Sequence, residues 1–244
     1  MLRTFWAKRF NFNWKLGAVL TLLICVPRFI LVLDANARAD YSLMGAIMVL
    51  SALAPFILLN KTGQHSIGLV KARSFKWLGL AFVFGLLASL ILHLLGDMLY
   101  GDTYENWYVY IARSYKIPEG MSGQNKSIMF TIMALVGMTF SPIGEELFFR
   151  GIVQSSFSKS IGEKWALILE GVAFALVHIA HFGLVYINQK FAFFPIPTLI
   201  WVISMFLFSL LLYTLKRKSG SLLGAIACHS GFNLGMIYSI FYLM

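Results

Sequence analysis

The chain has 244 residues, of which 59% are hydrophobic and 12% are charged, and its formal net charge is +10. With a mean hydropathy of +0.77, this composition excludes an ordinary soluble domain and predicts a polytopic membrane protein. The positive charge is expected from membrane topology and from contact with anionic lipid headgroups. No nucleic-acid partner is predicted, because the sequence lacks a basic, aromatic-interleaved soluble module that would bind one.

Seven apolar windows approach or reach the length of about 17–25 residues that a membrane-spanning helix needs. In chain order they are Leu16–Leu33, Tyr41–Leu59, Trp77–Leu95, Ile128–Ile143, Trp165–Ala180, Phe194–Leu215 and Leu222–Tyr242. The fourth and fifth are short and end at glutamates and histidines, so we expect them to stop at a polar pocket. A further short helix is expected from Glu145 to Phe157. The predicted fold is an all-α polytopic transmembrane bundle of seven to eight helices.

Lysine and arginine collect in alternate connections between these windows. They precede the first window and follow the second, fourth and sixth, and Arg28 is left inside the first. Because cytoplasmic loops carry the excess of basic residues, this pattern predicts a cytoplasmic amino terminus. We expect a single membrane domain over residues 1–244, with the amino-terminal spans in 1–126 and the functional core in 127–244.

The first polar motif contains Glu145, Glu146 and Arg150, directly after the fourth window. Adjacent residues on a helix point about 100° apart, so the two glutamates cannot aim at one spot. Glu146 and Arg150 are four residues apart and can form an ion pair along the helix, which leaves Glu145 to face a cavity. The alternative is an ordinary salt-bridged helix start at the cytoplasmic surface.

The second motif is Phe174 with His178, near the end of the fifth window. His181 lies three residues further on and shares nearly the same helical face, so either histidine could be the functional one. A single histidine in an apolar helix is more commonly a hydrogen-bonded structural residue. Glu170, in the same apolar run, could brace His178 through water or pair with Lys164.

The third motif is His229 with Asn233 in the last window, where a spacing of four places both side chains on one helical face. Both can donate hydrogen bonds, and donors held in a dry site stabilise a developing oxyanion. The alternative is a polar seam that joins two transmembrane helices.

Taken in order, the three motifs resemble those of the CPBP (CAAX protease and bacteriocin-processing, or Abi) family of intramembrane metalloproteases, which are type 2 CAAX prenyl endopeptidase-like. The resemblance covers about residues 128–244, and every motif position is met. Those positions are Glu145, Glu146, Arg150, Phe174, His178, His229 and Asn233. Glu170 and His181 are additions that the family pattern does not explain.

The resemblance implies an intramembrane endopeptidase that hydrolyses a peptide bond in a membrane-embedded, lipidated or apolar peptide. The implied roles are water activation by Glu145 and His178, an oxyanion hole from His229 and Asn233, and support of the catalytic helix by Glu146 and Arg150. The expected partners are membrane lipids and such a peptide or protein substrate. The expected location is the bacterial plasma membrane, with the active site toward the cytoplasmic side, beside Lys159 and Lys164.

A metal is a separate question, because the family is named for metalloproteases. Glu145, His178 and His229 could supply three zinc ligands, the number that a catalytic Zn²⁺ takes from its protein. The His-Glu-x-x-His signature of zincins is absent from the sequence. We therefore predict no firmly bound cofactor and keep Zn²⁺ as the alternative.

Two other function classes fit parts of the pattern. A non-proteolytic scaffold or bacteriocin-immunity protein could share this fold, since fold does not determine activity. A proton- or ion-coupled transporter could use the same buried acids and histidines, but inverted repeats are expected there. In this chain the intramembrane charges crowd into one half, which argues against transport.

Overall fold

The computed structural model of the protein describes residues 1–118 and 120–244, and these form a helical bundle with one small hairpin. The helices are α1 (Thr4–Ala7), α2 (Trp14–Arg38), α3 (Ser42–Leu58), α4 (Lys61–Ser66), α5 (Phe75–Tyr100), α6 (Trp107–Ser114), α7 (Gly123–Glu146), α8 (Gln154–Ile161), α9 (Glu163–Val177), α10 (Pro195–Ser219) and α11 (Leu222–Tyr242). A π-helical segment, Leu147–Val153, joins α7 to α8, and a 3-10 turn, His178–Ala180, follows α9. The strands are β1 (Leu184–Ile187) and β2 (Lys190–Phe193).

A helix occupies each of the seven apolar windows, which supports an integral membrane protein. Within the described ranges, four helices are long and apolar enough to cross a membrane: Trp14–Arg38, Phe75–Tyr100, Gly123–Ile161 and Pro195–Ser219. The helix Ser42–Leu58 is apolar but shorter. The count of seven to eight spans and the cytoplasmic amino terminus therefore stay predictions.

The expected helix break between Ile143 and Glu145 is wrong. Helix α7 runs on to Glu146, and the π-helical segment continues it into α8, so that the helical course from Gly123 to Ile161 is unbroken. Gly144 permits α7 to pack closely against α3, because a Cβ atom there would lie 2.6 Å from the carbonyl oxygen of Met48. The glutamates thus lie inside a helix that packs closely against its neighbour, rather than at the start of a new one.

The all-α prediction missed the hairpin between α9 and α10. Strands β1 and β2 pair antiparallel, with Leu184 opposite Phe193 and Ile187 opposite Lys190. The two-residue turn is formed by Asn188 and Gln189, whose φ angles are +50° and +62°. Tight hairpin turns need positive φ at such positions and usually contain glycine. The absence of glycine from this turn removed the usual sequence signal.

Helices α5 and α11 pack with their backbones in contact. A Cβ atom added to Gly85 would overlap the carbonyl oxygen of Cys228, and one added to Gly231 would overlap that of Phe82. Small residues allow this kind of close helix approach in membranes. Helix α11 is also tied to α7, because Ser230 Oγ donates to the Met138 carbonyl oxygen over 2.7 Å. The third polar motif is thereby fixed against the helix that carries the first.

We expect Gly85→Leu to destabilise the bundle by about 1–3 kcal/mol, the usual cost of overpacking. Gly79→Leu is the matched control on the same helix, because nothing lies within 4 Å of its added Cβ atom. Thermal unfolding in detergent measures both. Equal losses for the two variants would contradict a tight contact between α5 and α11.

Candidate active site

A cavity of about 640 Å³ lies among α2, α3, α7, α10, α11 and the 3-10 turn after α9. Four polar side chains that the sequence analysis singled out for water activation and oxyanion binding line it: Glu145, His178, His229 and Asn233. The rest of the wall is mostly methionine, phenylalanine and isoleucine. The structure therefore brings three separate motifs to one apolar cavity, whereas the chemical role of each residue stays a prediction.

Glu145 is only 2% exposed, and its two carboxylate oxygens have different surroundings. Oε1 accepts a hydrogen bond from Arg28 Nη2 over 2.8 Å and another from Ser141 Oγ, one turn earlier on α7. Oε2 has no hydrogen-bond partner among the described residues and lies 3.6 Å from His178 Nε2. One oxygen is thus anchored, and the other faces the histidine.

His178 begins the 3-10 turn at the end of α9 and is held by backbone contacts. Its Nδ1 lies 2.6 Å from the Phe174 carbonyl oxygen, which only accepts hydrogen bonds, so Nδ1 carries the proton. Trp201 Nε1 donates to the carbonyl oxygen of His178 over 3.0 Å. The Nε2 lone pair therefore points toward Glu145. His181 also lines the cavity, with its ring centroid 5.5 Å from that of His178.

Arg28 is the residue that the sequence analysis left without a role. An arginine inside an apolar span costs roughly 2.5–3.5 kcal/mol on insertion scales, so it calls for a partner. That partner is Glu145, which lies 117 positions along the chain, and both side chains are almost fully buried. The cost of an unpaired charge in an apolar span indicated that Arg28 has an acidic partner. The sequence did not identify which acid that partner is.

A second cluster of buried charge lies behind the cavity around Arg150. Arg150 Nε is 3.2 Å from Glu146 Oε2, which confirms the ion pair expected from their spacing. Arg150 Nη1 is 3.5 Å from Glu170 Oε1, and all three side chains have 0% exposure. The alternative of a salt-bridged helix start on the protein surface is therefore wrong.

The pairing of Glu170 with Lys164 is wrong, whereas a bridge from Glu170 to His178 through water stays a prediction. The Glu170 carboxylate faces Arg150, and Ser209 Oγ on α10 donates to its other oxygen over 3.4 Å. Lys164 lies at the exposed start of α9 and cannot neutralise a fully buried acid two turns away. A single buried guanidinium serves two carboxylates instead, and it also stacks 4.1 Å above the ring of Phe174.

His229 and Asn233 contact both the cavity and the neighbouring helix. His229 Nδ1 is 2.7 Å from Glu146 Oε1, so Nε2 is the atom left for the cavity. Asn233 Nδ2 donates one hydrogen bond to the Gly137 carbonyl oxygen over 2.8 Å, and the amide group has a second N–H. The polar seam considered as an alternative does exist between α11 and α7, but it leaves one donor or acceptor on each side chain for a ligand.

The three zinc ligands considered above do not converge. Within residues 1–118 and 120–244, no group of three or more histidine, cysteine, aspartate or glutamate side chains has metal-binding geometry. His229 Nδ1 is engaged by Glu146, and the guanidinium of Arg28 holds one oxygen of Glu145. The fixed positive charge of Arg28, 2.8 Å from Glu145 Oε1, opposes the binding of a divalent cation beside Glu145. The donor set therefore does not fit zinc.

Residues 127–235 match the family model for the Rce1-like proteins, described as type II CAAX prenyl endopeptidase Rce1-like. This part of the chain is similar to the Rce1-like proteins. The match includes every motif position from Glu145 to Asn233 and confirms the resemblance found in the sequence. Arg28 lies outside the region that matches the Rce1-like family. No curated protein and no solved structure matches the chain.

We expect Arg150→Gln to lower the free energy of unfolding by about 3–5 kcal/mol, because Glu146 and Glu170 would lose their shared cation. Arg217→Gln is the matched control. It breaks the exposed ion pair with Glu163 and should cost about 1 kcal/mol or less. Thermal unfolding in detergent compares the two, and similar losses would show that Arg150 does not hold the buried cluster.

Proposed function

We propose that the protein is an intramembrane endopeptidase that hydrolyses a peptide bond in a membrane-embedded, lipidated or apolar peptide. The observation that carries this proposal is the pair of acceptors formed by Glu145 Oε2 and His178 Nε2, 3.6 Å apart at the wall of an apolar cavity. The match of residues 127–235 to the Rce1-like family model supports a CAAX-type protease at the level of the family.

Two facing acceptors provide what a nucleophilic water needs. A water placed beside both atoms donates one hydrogen to Glu145 and one to His178, which orients its lone pair toward the substrate carbonyl carbon. Glu145 then takes a proton as the oxygen attacks, and returns it to the leaving amine nitrogen. Arg28 and Ser141 hold the other oxygen of Glu145, so the carboxylate cannot rotate away.

The oxyanion of the tetrahedral intermediate would be stabilised from α11. The free N–H of Asn233 and Nε2 of His229 both face the cavity. In the imidazolium form of His229, Nδ1 donates to Glu146 and Nε2 can donate to the oxyanion. Arg150 in turn neutralises Glu146 and keeps it in place, which gives Glu146 and Arg150 a supporting part.

The wall of the cavity also supports access from lipid. Helix α7 contributes Ile132, Val136 and Phe140, spaced by four residues, and these side chains are 49–58% exposed while they line the cavity. Met44 and Gly45 of α3 line it opposite them. An apolar or prenylated segment in the bilayer would reach the site between α3 and α7. Lys159 and Lys164 favour a position on the cytoplasmic side of a bacterial plasma membrane.

One observation favours the non-proteolytic alternative, a scaffold or bacteriocin-immunity protein on the same fold. The direct ion pair with Arg28 occupies one oxygen of the Glu145 carboxylate that would deprotonate water. A protein that only binds a partner would keep this pair permanently closed. Substitution of the two water-activating residues separates the functions.

We expect Glu145→Ala and His178→Ala each to lower kcat by at least about 100-fold, because each removes a general acid–base group. The measurement is cleavage of a prenylated CAAX peptide and a panel of apolar membrane peptides in liposomes. Glu105→Ala and His65→Ala, at exposed positions, are the matched controls and should behave as the wild type.

Cleavage by the wild type that is unaffected by a zinc chelator is the expected result, since the donor set does not fit zinc. Inhibition by chelator, with restoration by Zn²⁺, would reject metal-free water activation. Cleavage that survives both substitutions would reject the assignment of Glu145 and His178.

We expect Asn233→Ala to lower kcat by about 100- to 1,000-fold, the effect of losing one oxyanion donor. Ser230→Ala is the matched control, because it removes a hydrogen bond of the same kind between α11 and α7 without touching the predicted oxyanion hole. Both variants should lose about 0.6 kcal/mol of stability. Equal kcat values would assign Asn233 to the polar seam alone.

A further inference from the structure

Arg28 uses only part of its hydrogen-bonding capacity. A guanidinium carries five N–H donors and accepts no hydrogen bonds. Among the described residues, Arg28 makes one side-chain hydrogen bond, from Nη2 to Glu145 Oε1, and its buried Nε has no partner. The side chain is 3% exposed, so bulk solvent has almost no access to it.

N–H donors without a hydrogen-bond partner are costly on a side chain as deeply buried as that of Arg28. A buried donor without a partner costs about 1–3 kcal/mol, and donors on a charged group cost more. A lysine, with its compact point charge, would neutralise Glu145 without a rigid fork of further donors. The guanidinium of Arg28 therefore has N–H donors left for a second acceptor. That acceptor can arrive through the cavity, because Arg28 forms part of its wall.

The chemistry of the second acceptor follows from the guanidinium and its surroundings. A planar fork of N–H donors matches a carboxylate or a phosphate. Next to Arg28 the cavity is mainly apolar, and Glu145 already supplies one negative charge. A singly charged carboxylate adds less repulsion and costs less desolvation than a phosphate does. Peptides carry carboxylates at their carboxyl terminus and on aspartate and glutamate.

We propose that Arg28 binds a carboxylate of the peptide substrate and so selects peptides that carry one close to the scissile bond. This inference rests on the proposed function, because it names the substrates that the same site takes. Arg28 contacts Glu145, and Glu145 lies 3.6 Å from His178. A carboxylate on the guanidinium therefore lies within a few residues of the carbonyl group that water attacks.

A substrate carboxylate that shares the guanidinium of Arg28 also affects the contact between Arg28 and Glu145. Without a substrate carboxylate, the full positive charge of Arg28 holds Oε1 of Glu145, together with the Ser141 hydroxyl. When the guanidinium is shared between two carboxylates, its hold on Glu145 weakens. Binding of the correct substrate thereby frees the carboxylate that deprotonates water.

Three prenylated peptides that are otherwise identical test the proposal: one with a free carboxyl terminus, one amidated, and one amidated with glutamate as its last residue. Fluorescence anisotropy measures their binding to the full chain in detergent, and mass spectrometry measures cleavage. The proteins are the wild type, Arg28→Gln and the matched control Arg38→Gln. Arg38 lies on the same helix, but its side chain is 73% exposed and pairs with Asp34.

The wild type and Arg38→Gln should bind the free acid at least about tenfold more tightly than the amide, as expected for a charge-assisted pair. Arg28→Gln should bind both equally. If the glutamate-terminated amide binds like the free acid, Arg28 accepts any nearby carboxylate; if it binds like the amide, the carboxyl terminus is the ligand. Equal binding of acid and amide by the wild type, or a preference that survives Arg28→Gln, overturns the proposal.

Arg28→Gln leaves Glu145 buried without its cation, which can prevent folding. In that case the double variant Arg28→Gln with Glu145→Gln removes both charges and serves for the binding measurements. Equal cleavage of all three peptides would keep the proposed function and reject the role of Arg28. Acid-selective binding without any cleavage by the wild type would reject the proposed function and keep that role.

Discussion

A buried charge needs a partner of opposite sign, and this requirement sets how the helices around the cavity are arranged. The pair between Arg28 and Glu145 joins α2 to α7. Arg150 joins the π-helical segment to α9 through Glu170, and the contact of Glu146 with His229 joins α7 to α11. Because an unpaired charge costs several kcal/mol in such surroundings, each contact restricts the position of a whole helix. The cavity lies between the helices that these contacts hold in place.

The π-helical segment that carries Arg150 is buried along its whole length. All seven residues from Leu147 to Val153 are buried, so the segment has no face toward lipid or solvent. π-helical turns are rare and occur frequently at functional sites. In this protein the segment carries Arg150 to a position between two carboxylates, and it does so without breaking the helical course that begins in α7. The glutamates and their cation are therefore held on one continuous element.

The sequence predicted much of this arrangement because local spacing determines it. Apolar windows located the seven helices, and a spacing of four residues identified the pair of Glu146 and Arg150. Long-range pairing has no such periodicity. The partner of Arg28 is 117 positions away, and Glu170 turns to Arg150 instead of its local neighbour Lys164. The hairpin was missed because its turn lacks glycine, and the π-helical segment because its composition does not differ from that of an apolar α-helix.

The distance along the chain between Arg28 and Glu145 has a consequence for biosynthesis. A ribosome adds Arg28 117 residues before it adds Glu145, the acid that neutralises this arginine. During that interval, Arg28 resides in the translocon or the bilayer without its partner, at a cost of roughly 2.5–3.5 kcal/mol. The apolar remainder of α2, with a window hydropathy of 2.5, offsets this cost. The pair between Arg28 and Glu145 therefore forms only when α7 enters the membrane, so assembly of the cavity follows insertion of its first helix.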